Sequence, residues 1–360
     1  MNGKKWCISF LLTYGIVIFA IAAFVAIVDP YFHYHKPIEG FSYLEDKGDY
    51  INDGISKNFT YNAMITGTSM TMGFDVKEAD RIFGKDFVKV YFLGEGFKRI
   101  NDNLISAIQH NPDLKFVIRG VDTLWFVTEE NELGRDEYPE YLYDDQIWND
   151  VYYLLNGDVL FDDAIPVIVR TIKEGMQTQT VLQDENIQPE TNAENESADH
   201  DETIKYDRPP KDIKVVEAEE TAEFFDILDR NLEKNVISTI RENPDITFYI
   251  FFPPYSICWW DSLNQSGTEV LKRRIDMEQY AIEKLLEYEN VHLFSFFNNF
   301  ELICDFNNYG DEIHYSDQVS SQILTWMAEG EYELTEDNYL DYIDEITEFY
   351  CNYDYDAIFE

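Results

Sequence analysis

Asn62-Ala-Met-Ile-Thr-Gly67-Thr-Ser69-Met-Thr-Met-Gly73-Phe-Asp75 is the stretch on which the fold turns. Ala63, Met64 and Ile65 read as a short buried strand running into Gly67, and a hydroxyl-rich turn follows. Asp75 stands in an N-cap position ahead of Val76-Lys-Glu-Ala-Asp-Arg-Ile82-Phe83, so a helix is expected there. A serine beyond a parallel strand and just before a helix sits where open α/β sheets carry reactive groups. Gly67 is expected to let the backbone turn tightly and present Ser69 at the rim of the sheet. Serine and threonine also fill ordinary turns, so on this stretch alone Ser69 is either a nucleophile or a turn hydroxyl.

The surrounding chain supplies the rest of a sheet. Phe87–Leu93 is strand-like and ends at Gly94-Glu-Gly96, and Ile100–His110 carries Leu104, Ile105 and Ile108 at helical spacing. Lys115–Ile118 is a third strand, ending at Arg119-Gly-Val-Asp122. Ile246–Phe252 ends at Pro253-Pro254, Thr268–Tyr288 reads as a helix, and Val291–Phe296 is a fifth strand. Strands alternating with helices of this length predict an α/β fold with a parallel sheet covered on both faces.

Upstream, Trp6–Val28 contains no charged residue and is long enough to cross a bilayer. Lys4 and Lys5 precede it and an acidic bulk follows, which predicts a cytoplasmic amino terminus and an extracytoplasmic remainder. Ile27-Val28-Asp29-Pro30-Tyr31 offers no small-residue cleavage site, so residues 1–30 are expected to be a stub and an uncleaved anchor. The net charge of −43 argues against nucleic acid as a partner, because phosphates would be repelled. Of four cysteines, Cys7 falls in the expected anchor, leaving Cys258, Cys304 and Cys351 with no metal-ligand spacing. A Cys258–Cys304 bridge is conceivable, and plain packing is the alternative.

Two pieces interrupt the alternation. Leu124–Gly175, rich in aromatics and acids, reads as a cap or insertion within a larger interruption over 124–216. Gln177–Val215 has few large apolar residues, and such composition cannot offset its ordering cost, so a disordered acidic loop is expected there. Glu217–Asn243 then reads as one long helix, and Leu340, Ile343, Ile346 and Tyr350 predict a helix docked near the carboxyl end.

After the fifth strand comes Gly310-Asp311-Glu312-Ile313-His314-Tyr-Ser316, with a helix expected from Asp317. A carboxylate three residues before an imidazole can hold one ring nitrogen while the other faces a nucleophile. Ser69, Asp311 and His314 form such a set in the chain order Ser, Asp, His. Thr71 stands where a G-x-S-x-G elbow would have its last glycine, which disfavours the α/β-hydrolase pattern. His33 and His35 follow the anchor and read as interfacial, with a weak metal site as the rival. Phe252-Pro253-Pro254-Tyr255 and Trp259-Trp260 either line an acceptor groove or pack as a rigid strand exit.

Gly67-Thr-Ser69 after the first strand, Gly94 after the second and Asp311-Glu-Ile-His314 near the end resemble the SGNH (GDSL-like) hydrolase superfamily. The likeness is nearest to its membrane-anchored bacterial branch, related to the teichoic acid D-alanyl transfer protein and to polysaccharide O-acetyl-handling enzymes. The resemblance implies a flavodoxin-like three-layer α/β/α sandwich and ester chemistry through an acyl-serine. It also implies an oxyanion held by backbone N–H groups at Ser69 and Gly94 and by an asparagine from a third block. Gly120-Val-Asp122-Thr123 occupies that block, so Asp122 stands in the asparagine's place. An ionised carboxylate accepts and does not donate, so Asp122 either donates when protonated or pairs with Arg119. The expected activity is that of a membrane-anchored esterase or O-acyltransferase acting on a cell-envelope glycan or teichoic-acid-like polymer, without metal or organic cofactor. The alternative is a catalytically silent envelope protein that binds glycan or a membrane acyltransferase.

Overall fold

The computed structural model describes residues 3–43, 47–135, 138–174 and 206–359. The chain falls into two compact units, Met1–Thr60 with Glu137–Asn192, and Tyr61–Asp136 with Ala193–Glu360.

In the first unit, α1 (Gly3–Val28) is a single helix whose mean hydropathy and length suffice to cross a membrane, a property that signal sequences share. Asp29 ends it with a φ of 47° and is fully buried. Its carboxylate accepts from the backbone N–H groups of His33, Tyr34 and His35 at 2.8–3.0 Å and from the Tyr153 hydroxyl at 2.8 Å. That explains why a charged residue is tolerated there: four donors replace the lost water. His33 faces Asp150 at 3.5 Å and His35 faces Asp29 at 3.9 Å. The unit also contains α2 (Gly48–Asn58) and a helical stretch between Val151 and Glu174.

The second unit is an α/β fold built on a six-stranded, mostly parallel sheet. Its strands are β1 (Ala63–Thr68), β2 (Phe87–Phe92), β3 (Phe116–Gly120), β4 (Thr247–Phe252), β5 (Val291–Ser295) and β6 (Glu333–Leu334). They lie in the order β2-β1-β3-β4-β5-β6, all parallel except β6 against β5. The two-residue β6 carries no sequence signal long enough to detect, and it pairs Leu334 with Leu293. β1 and β3 are buried along their whole length, as central parallel strands must be, which is why Ala63–Ile65 and Phe116–Ile118 read as apolar runs. From β1 the chain steps to β2 on one side and later to β3 on the other. The crevice opened by that reversal lies beyond the carboxyl ends of β1 and β3.

α3 (Val76–Phe83) starts where the N-cap pattern predicts, with the Asp75 carboxylate accepting from Glu78 N–H at 2.9 Å. α4 (Phe97–His110) begins three residues earlier than periodicity suggests. The expected single helix over 217–243 is instead α7 (Ala218–Leu232), a π-helical stretch (Glu233–Ile237) and α8 (Ser238–Glu242). The widened turn brings the Asn235 carbonyl 2.7 Å from Arg119 Nη2. Arg119 also donates to Asn101 Oδ1 at 3.1 Å, so it does not pair with Asp122. α9 (Ile257–Gln265), α10 (Thr268–Leu285), α11 (Phe300–Cys304), α12 (Asp317–Glu329) and α13 (Tyr339–Asn352) follow. α13 docks through Tyr342, Ile343, Ile346 and Tyr350, whereas Leu340 is exposed.

The core beneath the crevice contains Ile65, Phe74, Ile118, Phe251, Phe294 and Val319. Each such side chain contributes roughly 1.5–3 kcal/mol by leaving water, which anchors the serine turn to the sheet. Most of the expected acidic loop lies outside the described residues. From Tyr206 the chain is extended and tied down: Tyr206 and Arg208 both donate to the buried Asp261, and Asp212 N–H donates to the Gln265 carbonyl at 2.9 Å. Within the described part of that stretch the chain is therefore bonded to α9, while Ile213 and Val215 stay exposed. All four cysteines are free thiols.

Candidate active site

The serine turn is a single 3₁₀ turn, Ser69–Thr71, that follows β1 directly. Its carbonyls are held at every second residue. The Thr71 hydroxyl donates to Thr68 O at 2.9 Å, the Tyr315 hydroxyl donates to Met70 O, and Lys89 Nζ donates to Met72 O and Phe74 O. Lys89 comes from β2 and is buried, and burial pushes its ammonium down to about 8. Gly67 differs from the expectation of a turn glycine: it lies inside β1, and its role is steric. A Cβ there would meet the Thr71 methyl at 2.6 Å, and one at Gly120 would meet it at 3.0 Å. Two glycines on adjacent strands thus make the recess that seats Thr71.

The histidine loop is built by one carboxylate. Asp311 Oδ1 accepts from Ile313 N–H at 2.8 Å and His314 N–H at 2.7 Å, which folds the loop back on the acid. The same carboxylate then places Oδ2 2.6 Å from His314 Nδ1. Tyr309 and Tyr315 pair as an antiparallel bridge around the loop, and Ser256 donates through N–H and hydroxyl to the Glu312 carbonyl at 3.1 and 2.7 Å. Ser316 caps α12, so the helix starts at Asp317 as the sequence predicts.

The structure brings these two pieces together across 245 residues of chain: Ser69 Oγ lies 2.8 Å from His314 Nε2. Burial pushes the Asp311 carboxyl up, but bonds from the His314 ring and from the loop N–H groups outweigh it, and its pKa lies below the usual range. An ionised Asp311 can only accept, so Nδ1 carries a proton. In the neutral imidazole Nε2 is then left with a lone pair to which the serine hydroxyl can donate. A serine so arranged loses its proton to the histidine as its oxygen attacks an electrophile.

Gly94 lies two residues beyond Phe92, which is in register with Thr68, so it is on the same rim as Ser69. It is exposed, with a φ of 63° that suits glycine alone. Gly134 crosses it so closely that a Cβ there would stand 1.8 Å from the Gly94 carbonyl oxygen. The crossing is pinned by the fully buried Glu95, which accepts from Gly134 N–H at 3.1 Å and Arg135 Nε at 3.4 Å and pairs with Arg99.

Asp122 is 3% exposed and is used as an acceptor throughout. Its oxygens receive the Thr68 hydroxyl at 3.0 Å, Leu124 N–H at 3.0 Å and the Tyr255 hydroxyl. Burial and the adjacent carboxylate push the Tyr255 phenol well above its usual range, keeping it a donor. In this arrangement Asp122 is not a donor aimed at the rim; it ties the residue before Ser69 to the loop after β3. Trp259 and Trp260 are both buried, as the rigid strand exit expects. Trp259 lines an apolar cleft of about 240 Å³ with Leu124, Val127, Phe224 and Met277, while Trp260 is buried and stacked 3.8 Å from Tyr350. A larger cleft of about 560 Å³ at the β5–β6 edge is lined by Ser295, Glu333, Asp341 and Tyr342. That cleft has no histidine, so chemistry points to Ser69 rather than to size. Among the described residues no group of three or more His, Cys, Asp or Glu side chains is placed to hold a metal ion.

Sequence reasoning missed Lys89, Tyr315, Tyr255 and the Glu95–Arg135 pair. Lys89 left one trace, a lone charge inside the apolar run Phe87–Phe92. Tyr315 left none, and Tyr255 read only as a strand-exit or groove aromatic, because one bonds a backbone carbonyl and the other a buried acid far away in sequence.

No family model matches the chain, and no curated protein matches it. Among solved structures it is similar to a Streptococcus pneumonia protein provisionally described as a platelet activating factor. The two are 12% identical over 79% of this chain and 91% of that one, with a TM-score of 0.37, too low to carry fold or chemistry across.

Proposed function

We propose that the protein is a membrane-anchored serine esterase or O-acyltransferase of the SGNH type, acting on acyl groups of a cell-envelope glycan or teichoic-acid-like polymer. The observation that carries the reading is the 2.8 Å approach of Ser69 Oγ to an imidazole held by a carboxylate on its other nitrogen. Ser69 attacks the acyl carbonyl, His314 takes its proton and returns it to the leaving oxygen, and Asp311 fixes the tautomer and balances the imidazolium. The oxyanion is assigned to the backbone N–H groups of Ser69 and Gly94. The strand order β2-β1-β3-β4-β5 supports a flavodoxin-like three-layer sandwich, which of the expected 31–360 domain occupies the second unit. α1 and the two lysines ahead of Trp6 support an anchor with the catalytic part outside the cell.

One observation favours a second reading. With Asp122 committed as an acceptor, the side-chain donor that the SGNH pattern takes from its third block has no counterpart at that position. The alternative is therefore a silent scaffold that binds glycan or a membrane acyltransferase. Full-length protein in detergent, treated with a fluorophosphonate and mapped by mass spectrometry, separates the two. The esterase reading expects an adduct on Ser69 that Ser69→Ala and His314→Ala abolish. No adduct, under conditions that label a control hydrolase, would establish the silent scaffold.

A further inference from the structure

The first unit carries an apolar surface that the chemistry above does not use. It comes from a helical stretch containing α5 (Val151–Leu154), a π-helical segment (Val159–Ala164) and α6 (Ile165–Glu174). The inward side of this stretch is fully packed, with Tyr153, Val159, Ala164 and Val167 buried. Its outward side carries a run of large apolar residues as well. Ile147 (84% exposed) and Trp148 (74%) lead into Val151, Tyr152 and Leu155, all exposed. Phe161 (64%), Ile165, Val169 and Ile172 (74%) continue the surface along the second half. Scattered apolar residues on a surface need no explanation, but nine within 26 positions form a patch that does.

Its neighbour in the fold says what covers it. α5 and the π-helical segment pack against α1. They cover α1 at its carboxyl end, where Val25 and Val28 are buried and most residues from Ile21 onward are at least partly covered, while Gly3–Val17 are exposed. α1 is 26 residues and about 39 Å long, against a hydrocarbon core of ~30 Å. If the uncharged run begins at one interface, its last two turns lie near the other. Segments packed beside those turns share that depth.

The geometry points to a second membrane contact: residues 147–172 lie in the bilayer interface at the carboxyl end of α1, with their apolar side in the headgroup–acyl boundary. Trp148 and Tyr152 belong to the residue types that favour this boundary, having an apolar body and a polar tip. Asp158 and Asp162 are exposed beside the patch and Lys173 at its end, so attraction to anionic lipid contributes little and burial of apolar surface drives the contact. The fitting occupant is a zwitterionic lipid surface. The inference rests on α1 being a membrane span. Two attachments beside each other would restrict rotation and tilt of the first unit on the membrane, which a single helix does not.

Full-length protein in phosphatidylcholine vesicles containing diazirine-labelled acyl chains tests this, with adducts mapped by peptide. The expected result is labelling of 147–172 together with α1. Labelling of α1 alone overturns the second contact and leaves the anchor standing; labelling of neither overturns both. Cross-linking of 147–172 to another membrane protein in native membranes, with no lipid adducts there in vesicles, also overturns it in favour of a protein partner. Phe161→Asp and Ile172→Asp sit on the outer surface, so they leave the melting transition in place. Each is expected to cut labelling of 147–172 by about fivefold without changing labelling of α1, since a charge is disfavoured at that depth. Unchanged labelling of 147–172 in both variants overturns the assigned orientation.

Discussion

Asp311 and Asp122 are each linked to Ser69 through one intervening residue, and the contrast between them sets the proposed chemistry against scaffolding. Asp311 acts through His314 and leaves its side chain 50% exposed, while Asp122 acts through Thr68 and is almost fully buried. Both accept three hydrogen bonds from well-placed donors. What differs is the partner that changes during a reaction. In the proposed reaction Asp311 faces an imidazole that gains and loses a proton, whereas Asp122 faces two hydroxyls and an amide that do not. A carboxylate beside a nucleophile is therefore not catalytic by position alone; the titrating partner decides it.

Replacing Asp311 with Asn should break the contrast most visibly. Asn keeps an oxygen for the Ile313 and His314 N–H groups, but its amide cannot accept from Nδ1–H. The imidazole then turns to the tautomer that donates from Nε2, and Ser69 loses its base. Ester turnover is expected to fall about 10³–10⁴-fold. The melting transition should move little, because the pair is half-exposed and screened by water. A fall of less than tenfold in steady-state turnover would show that Asp311 only shapes its loop.

Glu278 of α10 sharpens the comparison from the side of burial. Its carboxylate is 2% exposed and accepts from the Tyr342 and Ser295 hydroxyls, much as Asp122 accepts from Tyr255 and Thr68. Burial outweighs those bonds and the nearby Arg274, and pushes the group up to about 7. A folded-state pKa above the unfolded value of 4.5 means that the native state binds the extra proton between those limits. Stability from this group therefore falls as pH rises from 4.5 to about 7. Glu278→Gln should match the natural protein near pH 4.5 and exceed it by about 3 kcal/mol above pH 7. Denaturation at several pH values measures the difference, and a gap independent of pH would mean that Glu278 stays ionised.

How much of this was legible beforehand follows from the range of the interactions. Ser69, Asp311 and His314 could be read because nucleophile, base and orienter are defined by residue type and local spacing. The strands β1 to β5 could be read because buried parallel strands are mostly apolar runs. β6 could not, since two residues carry no period. Gly67 was legible as a necessary glycine but for a different reason, because the steric recess involves Thr71 and Gly120 rather than a turn. The supports at Lys89, Tyr315 and Tyr255 were hidden: each bonds a distant carbonyl or acid, and nothing in the sequence pairs them. The stretch 147–172 read only as an aromatic, acidic interruption, because inward and outward apolar positions look alike until the fold shows which are packed.

The finest test of the contrast is Asp122→Asn, the residue that the resemblance places in this position. An Asn keeps one acceptor oxygen and turns the other into an NH₂ donor. Because three donors converge on the carboxylate, at least one of Thr68, Leu124 and Tyr255 is then met by a donor. A buried donor left without an acceptor costs about 1–3 kcal/mol, so stability should fall by ~2 kcal/mol in chemical denaturation. Thr68 immediately precedes Ser69, and loosening it should lower ester turnover as well, by about tenfold, through displacement of the hydroxyl from His314. The two readouts must move together if Asp122 is a scaffold. A rise in turnover at unchanged stability would reverse the assignment, since only a side chain that reaches the oxyanion gains catalysis from a new N–H donor. A fall in turnover without loss of stability would instead give the carboxylate a direct part in the chemistry, and the distinction between the two acids would disappear.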